Sequence, residues 1–190
     1  MAIYIALLRG INVGGHKIIK MQDLQRMFEQ LGLQQVKTYI QSGNVLFESD
    51  APAEQLRLQI QKEITAVFGF DVPVVMRTYT ELAAIVASSP FDADQLQKGE
   101  NVYVALLAGM PTEEGKQRLL ACSSEVDDYR LCDSEVYIYC RQSVRKSMFS
   151  NNLLEKKLGV AATSRNWQTM NKLLSLAAGM EELLKANKPG

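Results

Sequence analysis

The sequence predicts an α+β protein made of two ferredoxin-like βαββαβ repeats, each with an added helix. Three observations carry this prediction. Strand-like and helix-like hydrophobic segments follow the order β-α-β-β-α-β-α in the first half. The same order recurs in the second half at slowly drifting offsets. A turn of Ser42, Gly43 and Asn44 between two β-rich arms marks a hairpin in the middle of the first repeat.

Taken in order, Ile3 to Leu8 is a nearly continuous apolar run, the pattern of a strand covered on both faces. A helix follows, with Met21, Leu24, Met27, Phe28 and Leu31 on one stripe and Gly32 as its stop. "VKTYIQSGNVLFES" supplies the hairpin. A second helix starts near Pro52, buries Leu56, Ile60, Ile64 and Phe68, and stops at Gly69. "VPVVMR" is the fourth strand, and Thr78-x-x-Glu81 forms a capping box that opens the added helix.

The second half answers element by element. "IYIALLRG" at 3–10 matches "VYVALLAG" at 102–109, an offset of 99. The hairpin from Tyr39 matches "YRLCDSEVYIY" from Tyr129, an offset of 90. "RTYTEL" from Arg77 matches "RNWQTM" from Arg165, an offset of 88. Ordered matches with drifting offsets read as duplication with deletions. The halves are placed at 1–90 and 102–190, with the acidic stretch Phe91 to Glu100 as the core of a linker over 91–101.

Composition sets the bounds on function. The 190 residues are 47% hydrophobic and 22% charged, an ordinary globular balance that needs no disulfide to hold a core. Cys122, Cys132 and Cys140 are odd in number and lack CxxC spacing. With no secretory signal in view, they read as reduced, inert thiols of a cytoplasmic protein. No stretch approaches the ~18 apolar residues of a membrane span. Charge is uneven: residues 1–47 carry five Lys/Arg and two Asp/Glu, residues 48–140 seven and sixteen, and residues 141–172 seven and one. Segments of opposite sign point to a phosphorylated or polyanionic partner, or else to charges scattered over a solvated surface.

Two motifs speak to a ligand. Gly10-Ile-Asn-Val-Gly-Gly15 has the glycine spacing of a P-loop, but His16 stands where the lysine belongs and Lys17 where the magnesium-binding hydroxyl belongs. Nucleotide hydrolysis is therefore disfavoured. The amides of Gly14 and Gly15 can still cup an anion, with Arg9, Lys17 and Lys20 adding charge, and the plain alternative is a β–α connection. The second motif is an arginine, a capping residue and an aromatic at a helix start: Arg77-Thr78-Tyr79 and Arg165-Asn166-Trp167. A helix N-terminus, a guanidinium and a ring together suit a phosphate that bears a base. Arg77 lies among acids, where pairing with a carboxylate is the simpler reading. Arg165 lies with Arg145, Lys146, Lys156 and Lys157, where binding is favoured.

Catalytic readings find little. His16 is the single histidine, which rules out a His-rich metal site, and no cysteine pair has zinc spacing. No nucleophile elbow accompanies His16. Asp127-Asp128 and Glu113-Glu114 read as solvated surface rather than acid/base couples. No metal or cofactor is expected. Both central strands are apolar on both faces, which argues against RNA binding on an exposed sheet.

"LLRGINVGGHKIIKM", "YIQSGNVLF" and "ATSRNWQTMNKL" resemble the signatures of the bacterial family catalogued as domain of unknown function 1697. The similarity runs from the first strand to the helix after Trp167. It implies a cytoplasmic α+β protein and brings no established activity or cofactor. Its motifs fall on Arg9, Gly10, Asn12, Gly14 and Gly15, on Ser42, Gly43 and Asn44, and on Arg165, Asn166 and Trp167. With Lys17, these residues form the expected site for a phosphorylated or nucleotide-like ligand, or for nucleic acid, between the halves. The alternatives are a small enzyme acting on a phosphorylated metabolite with His16 or a nearby carboxylate as acid/base, and a protein-interaction module without a small ligand.

Overall fold

The computed structural model describes residues 1–141 and 147–186. Arg145 and Lys146, counted above in the basic segment, lie outside the described residues. Among those described, the chain forms two four-stranded antiparallel sheets and six α-helices. Its contacts group it into two compact units, Met1–Ala84 with Lys172–Gly190, and Ile85–Asn171.

The first unit holds β1 (Ala2–Leu8), α1 (Met21–Gln30), β2 (Gln34–Tyr39), β3 (Asn44–Ser49), α2 (Ala53–Phe68) and β4 (Val74–Thr78). Its sheet has the order β2-β3-β1-β4, so the first and third strands are central. Strand side chains alternate between faces. Tyr4, Ala6 and Leu8 of β1 pack with Leu24, Met27 and Phe28 of α1 and with Leu56, Ile60 and Ile64 of α2. Phe47 sits at the centre, 5.8 Å from the Tyr4 ring and 5.5 Å from Phe28 in an edge contact. Each such side chain contributes roughly 1.5–3 kcal/mol by leaving water. Ile3, Ile5 and Leu7, on the other face, are also fully buried, as the unbroken apolar run requires.

α3 (Tyr79–Ala87) follows β4 directly. Its capping box is formed: Thr78 N–H donates to Glu81 at 2.7 Å, and Glu81 N–H donates back to Thr78 Oγ1 at 3.2 Å.

The second unit holds β5 (Asn101–Leu107), α4 (Glu113–Leu120), β6 (Asp127–Cys132), β7 (Glu135–Cys140), α5 (Asn151–Leu158) and β8 (Ala162–Asn166). Its sheet order is β6-β7-β5-β8, the same plan as in the first. α6 (Trp167–Ala186) follows β8 as α3 follows β4. Thr112 and Ser150 cap α4 and α5, accepting from Gly115 N and Leu153 N at 3.1 Å each. Gly115 lets these two helices close up, since a Cβ there would stand 3.1 Å from the Leu158 carbonyl oxygen.

Tyr137 spans this unit from β7, its hydroxyl donating to the Ile85 carbonyl at 2.6 Å inside the core. Burial pushes the phenol well above its usual pKa, so it stays a donor. Tyr137→Phe is expected to cost about 1–3 kcal/mol in a urea melt, because it strands a buried carbonyl.

Two polar expectations are corrected. Asp127 is buried rather than solvated; consecutive strand residues point to opposite faces, so its neighbour Asp128 faces Arg130 at 3.2 Å and Arg141 at 3.5 Å instead. Asp127 accepts the Met148 N–H at 2.9 Å and thereby fixes the approach to α5. Of the three thiols only Cys140 is buried, and burial raises its pKa to about 11. A thiol reagent at neutral pH is expected to label half-buried Cys122 and Cys132 in the native protein and Cys140 only after unfolding.

Candidate functional site

In the first unit the glycine loop is a small finger. Gly14 and Gly15 have φ of +58° and +78°, the two left-handed residues of a tight turn, and His16 N–H donates to the Val13 carbonyl at 3.0 Å. Asn12 N–H closes the finger on the Lys17 carbonyl at 3.2 Å. Asn12 ties the base down: its Oδ1 accepts from Ile19 N at 2.8 Å, and its Nδ2 donates to the Ile19 carbonyl at 3.0 Å and the Gln41 carbonyl at 2.9 Å.

That last bond brings the finger onto the Ser42-Gly43-Asn44 turn. Leu8 N–H donates to the Gly43 carbonyl at 2.8 Å, and Gly43 lies flat against Ile11 and Leu8. Asn44 is fully buried and donates to the Tyr39 carbonyl at 2.9 Å and to Ser42 Oγ at 3.1 Å. Arg9 N–H donates to the Pro73 carbonyl at 2.9 Å, and the Lys17 ammonium donates to the Asp71 carbonyl. Two of the three loops expected at the site thus meet, through hydrogen bonds that brace the ends of β1, β3 and β4.

Arg165, Asn166 and Trp167 belong to the second unit. Arg165 pairs with Val104 across β5 and β8, on the buried face of the sheet, and is only 7% exposed. Its guanidinium donates to Thr163 Oγ1 and to the Ser164 carbonyl at 2.9 Å each, and burial lowers its pKa to about 10. Arg77 makes the same backward bond, to the Met76 carbonyl at 2.8 Å. Asn166 is exposed and caps α6, its Oδ1 accepting Thr169 N–H at 2.8 Å. Trp167 begins the helix half-buried.

A cavity of about 310 Å³ opens beside this helix start. It is lined by Asn166, Trp167 and Gln168, from the helix start, and by Gln97, Glu100 and Asn101, from the segment that enters β5. Glu100 is held in place, accepting Gln97 N–H at 2.8 Å and the Tyr139 hydroxyl. These two donors, with the nearby Arg141 charge, keep its carboxyl below the usual range, so it is ionised at neutral pH. Behind it, Tyr139 stacks on Phe91 at 5.4 Å and lies under the Arg141 guanidinium at 5.1 Å.

Gln97 and Glu100, which line the cavity, and Tyr139 beside Glu100 are not among the residues expected from the sequence. Glu100 and Tyr139 meet because Val102 pairs with Tyr139 across β5 and β7, a contact no local motif announces. Among the described residues no group of three His, Cys, Asp or Glu is placed to hold a metal ion. No helix among them is long and apolar enough to cross a membrane.

The fold is that of a two-unit α+β protein, with a cavity lined by polar residues and Trp167 at a strand-to-helix junction. The chain belongs to the family described as protein of unknown function (DUF1697), whose model matches residues 1–137. Among solved structures it is similar to conserved bacterial protein SP0830 from Streptococcus pneumoniae, at 23% identity and a TM-score of 0.69. That match covers 93% of this chain and 98% of the other, and it establishes a shared fold. No curated protein matches.

Proposed function

We propose that the protein binds a nucleotide-like ligand in the second unit, with a base stacked on Trp167. The observation that carries this reading is the cavity of about 310 Å³ with an indole on one wall and side-chain amides and a carboxylate around it. That volume sits at the low end for small-molecule sites. Amides read the edges of a base, and an indole face contributes about 1–3 kcal/mol per stacked base. Any phosphate would lie at the mouth, away from Glu100. Of the residues expected from sequence, Asn166 and Trp167 touch the ligand in this reading. Arg165 holds the strand beneath them, and Arg9, Lys17 and residues 10–15 and 42–44 brace the first unit.

The scaffold in this proposal is a duplicated ferredoxin-like unit, with halves at 1–90 and 102–190 joined by 91–101, working in the cytoplasm. Matching registers support the duplication: Ile5 faces Arg77 as Val104 faces Arg165, and Leu7 faces Asn44 as Leu106 faces Glu135. A second reading, docking to a protein partner, is favoured by one observation: Val13 and Ile18 on the finger are 65% and 60% exposed.

Trp167 is the single tryptophan, so its emission reports this site alone. Titration with nucleosides and nucleotides is expected to quench it saturably. An unchanged emission across the series, with no thermal shift, would contradict the proposal and move the weight to the finger.

A further inference from the structure

Resting on the reading just given, we infer that the cavity selects a ribose with free 2′ and 3′ hydroxyls, so that its ligand is a ribonucleoside moiety rather than a deoxyribonucleoside. The argument lies in how Glu100 is placed. It lines the same cavity as Trp167 and Asn101. Gln97 N–H, at 2.8 Å, and the Tyr139 hydroxyl fix the carboxylate from the protein side. The Tyr139 ring is itself clamped between Phe91 and Arg141.

A carboxylate offers about four acceptor directions, so two protein donors leave capacity for two more. A vicinal diol supplies two hydroxyl donors on adjacent carbons, which a single carboxylate can take together. Phosphate brings a negative charge like that of the carboxylate, and further acceptors where donors are needed, so a phosphate is repelled from this wall. A base amine would also satisfy Glu100. The Trp167 indole and the Gln168 amide, however, line the same cavity and already supply a stacking face with a donor and an acceptor for a base. The diol therefore falls to Glu100.

The test is calorimetric titration of the full chain with adenosine, 2′-deoxyadenosine, 3′-deoxyadenosine, uridine and 2′-deoxyuridine, using wild type, E100Q and Y139F. Each hydroxyl bonded to a charged acceptor is expected to tighten binding roughly ten- to hundredfold over the deoxy analogue. In E100Q the ratio between ribo and deoxy ligands should collapse while deoxynucleoside affinity is kept. Y139F loosens the carboxylate and should reduce the same ratio, which marks Tyr139 as a positioning residue. Equal affinities for ribo and deoxy ligands in wild type would overturn the diol assignment and leave the Trp167 site standing. A ratio preserved in a folded E100Q protein would also overturn it. Loss of affinity for adenosine but not uridine in E100Q would assign Glu100 to the base amine instead. Failure of every nucleoside to bind would overturn this inference and the site together.

Discussion

Gly43→Ala is expected to lower the stability of the protein by about 2–5 kcal/mol, a large share of what a domain of this size has. Two causes add. Gly43 has a φ of +78°, where any residue with a Cβ carries about 1–2 kcal/mol of strain. An added Cβ would also stand 2.7 Å from Ile11 Cδ1 and 2.8 Å from Leu8 Cβ, both fully buried, and such overpacking costs about 1–3 kcal/mol. Gly43→Asn separates the two causes. Asparagine tolerates the left-handed region, so it relieves strain without relieving the clash, and it is expected to recover little. A urea melt reads both variants. A loss under about 1 kcal/mol for Gly43→Ala would show that finger and hairpin turn are not locked together as described.

Trp167→Ala is expected to weaken ligand binding by about 1–3 kcal/mol, between roughly fivefold and 150-fold in Kd. Its ring is half-buried at the start of α6, so folding is expected to survive better than binding. Trp167→Phe keeps a stacking face and should retain most of the affinity. Equal weakening by alanine and phenylalanine would mean that the indole is there for packing, and that stacking on a base is the wrong role for it.

Much of the fold was legible because local chemistry and tertiary need agree. The run Ile3 to Leu8 required cover on both faces, and both faces are buried. Thr78-x-x-Glu81 closes the capping box that its spacing promised. Ser42-Gly43-Asn44 forms the hairpin turn, with buried Asn44 bonded back across it.

Less of the site was legible, for reasons of register. Charge summed over a window does not tell which face of a strand a residue takes. Arg165 stands in a basic segment, yet its position opposite Val104 turns it into the buried side of the sheet. Asp127 is adjacent to exposed-looking Asp128 and is buried by the same alternation. The glycine spacing of residues 10–15 resembles a phosphate loop, but Val13 and His16 pair across Gly14 and Gly15, and Asn12 and His16 amides are spent inside the finger. Glu100 and Tyr139 come together only through strand pairing, at a sequence distance that no motif scan bridges.

The central claim, a nucleoside-sized ligand against Trp167, meets its most direct test in the indole N–H signal of an isotope-labelled sample, one signal because the chain has one tryptophan. On titration with adenosine and uridine, that signal and the side-chain amide signals of Asn166 and Gln168 are expected to move together and saturate. A static indole, with shifts gathered instead on the finger around Val13 and Ile18, would contradict the claim and place recognition on the first unit.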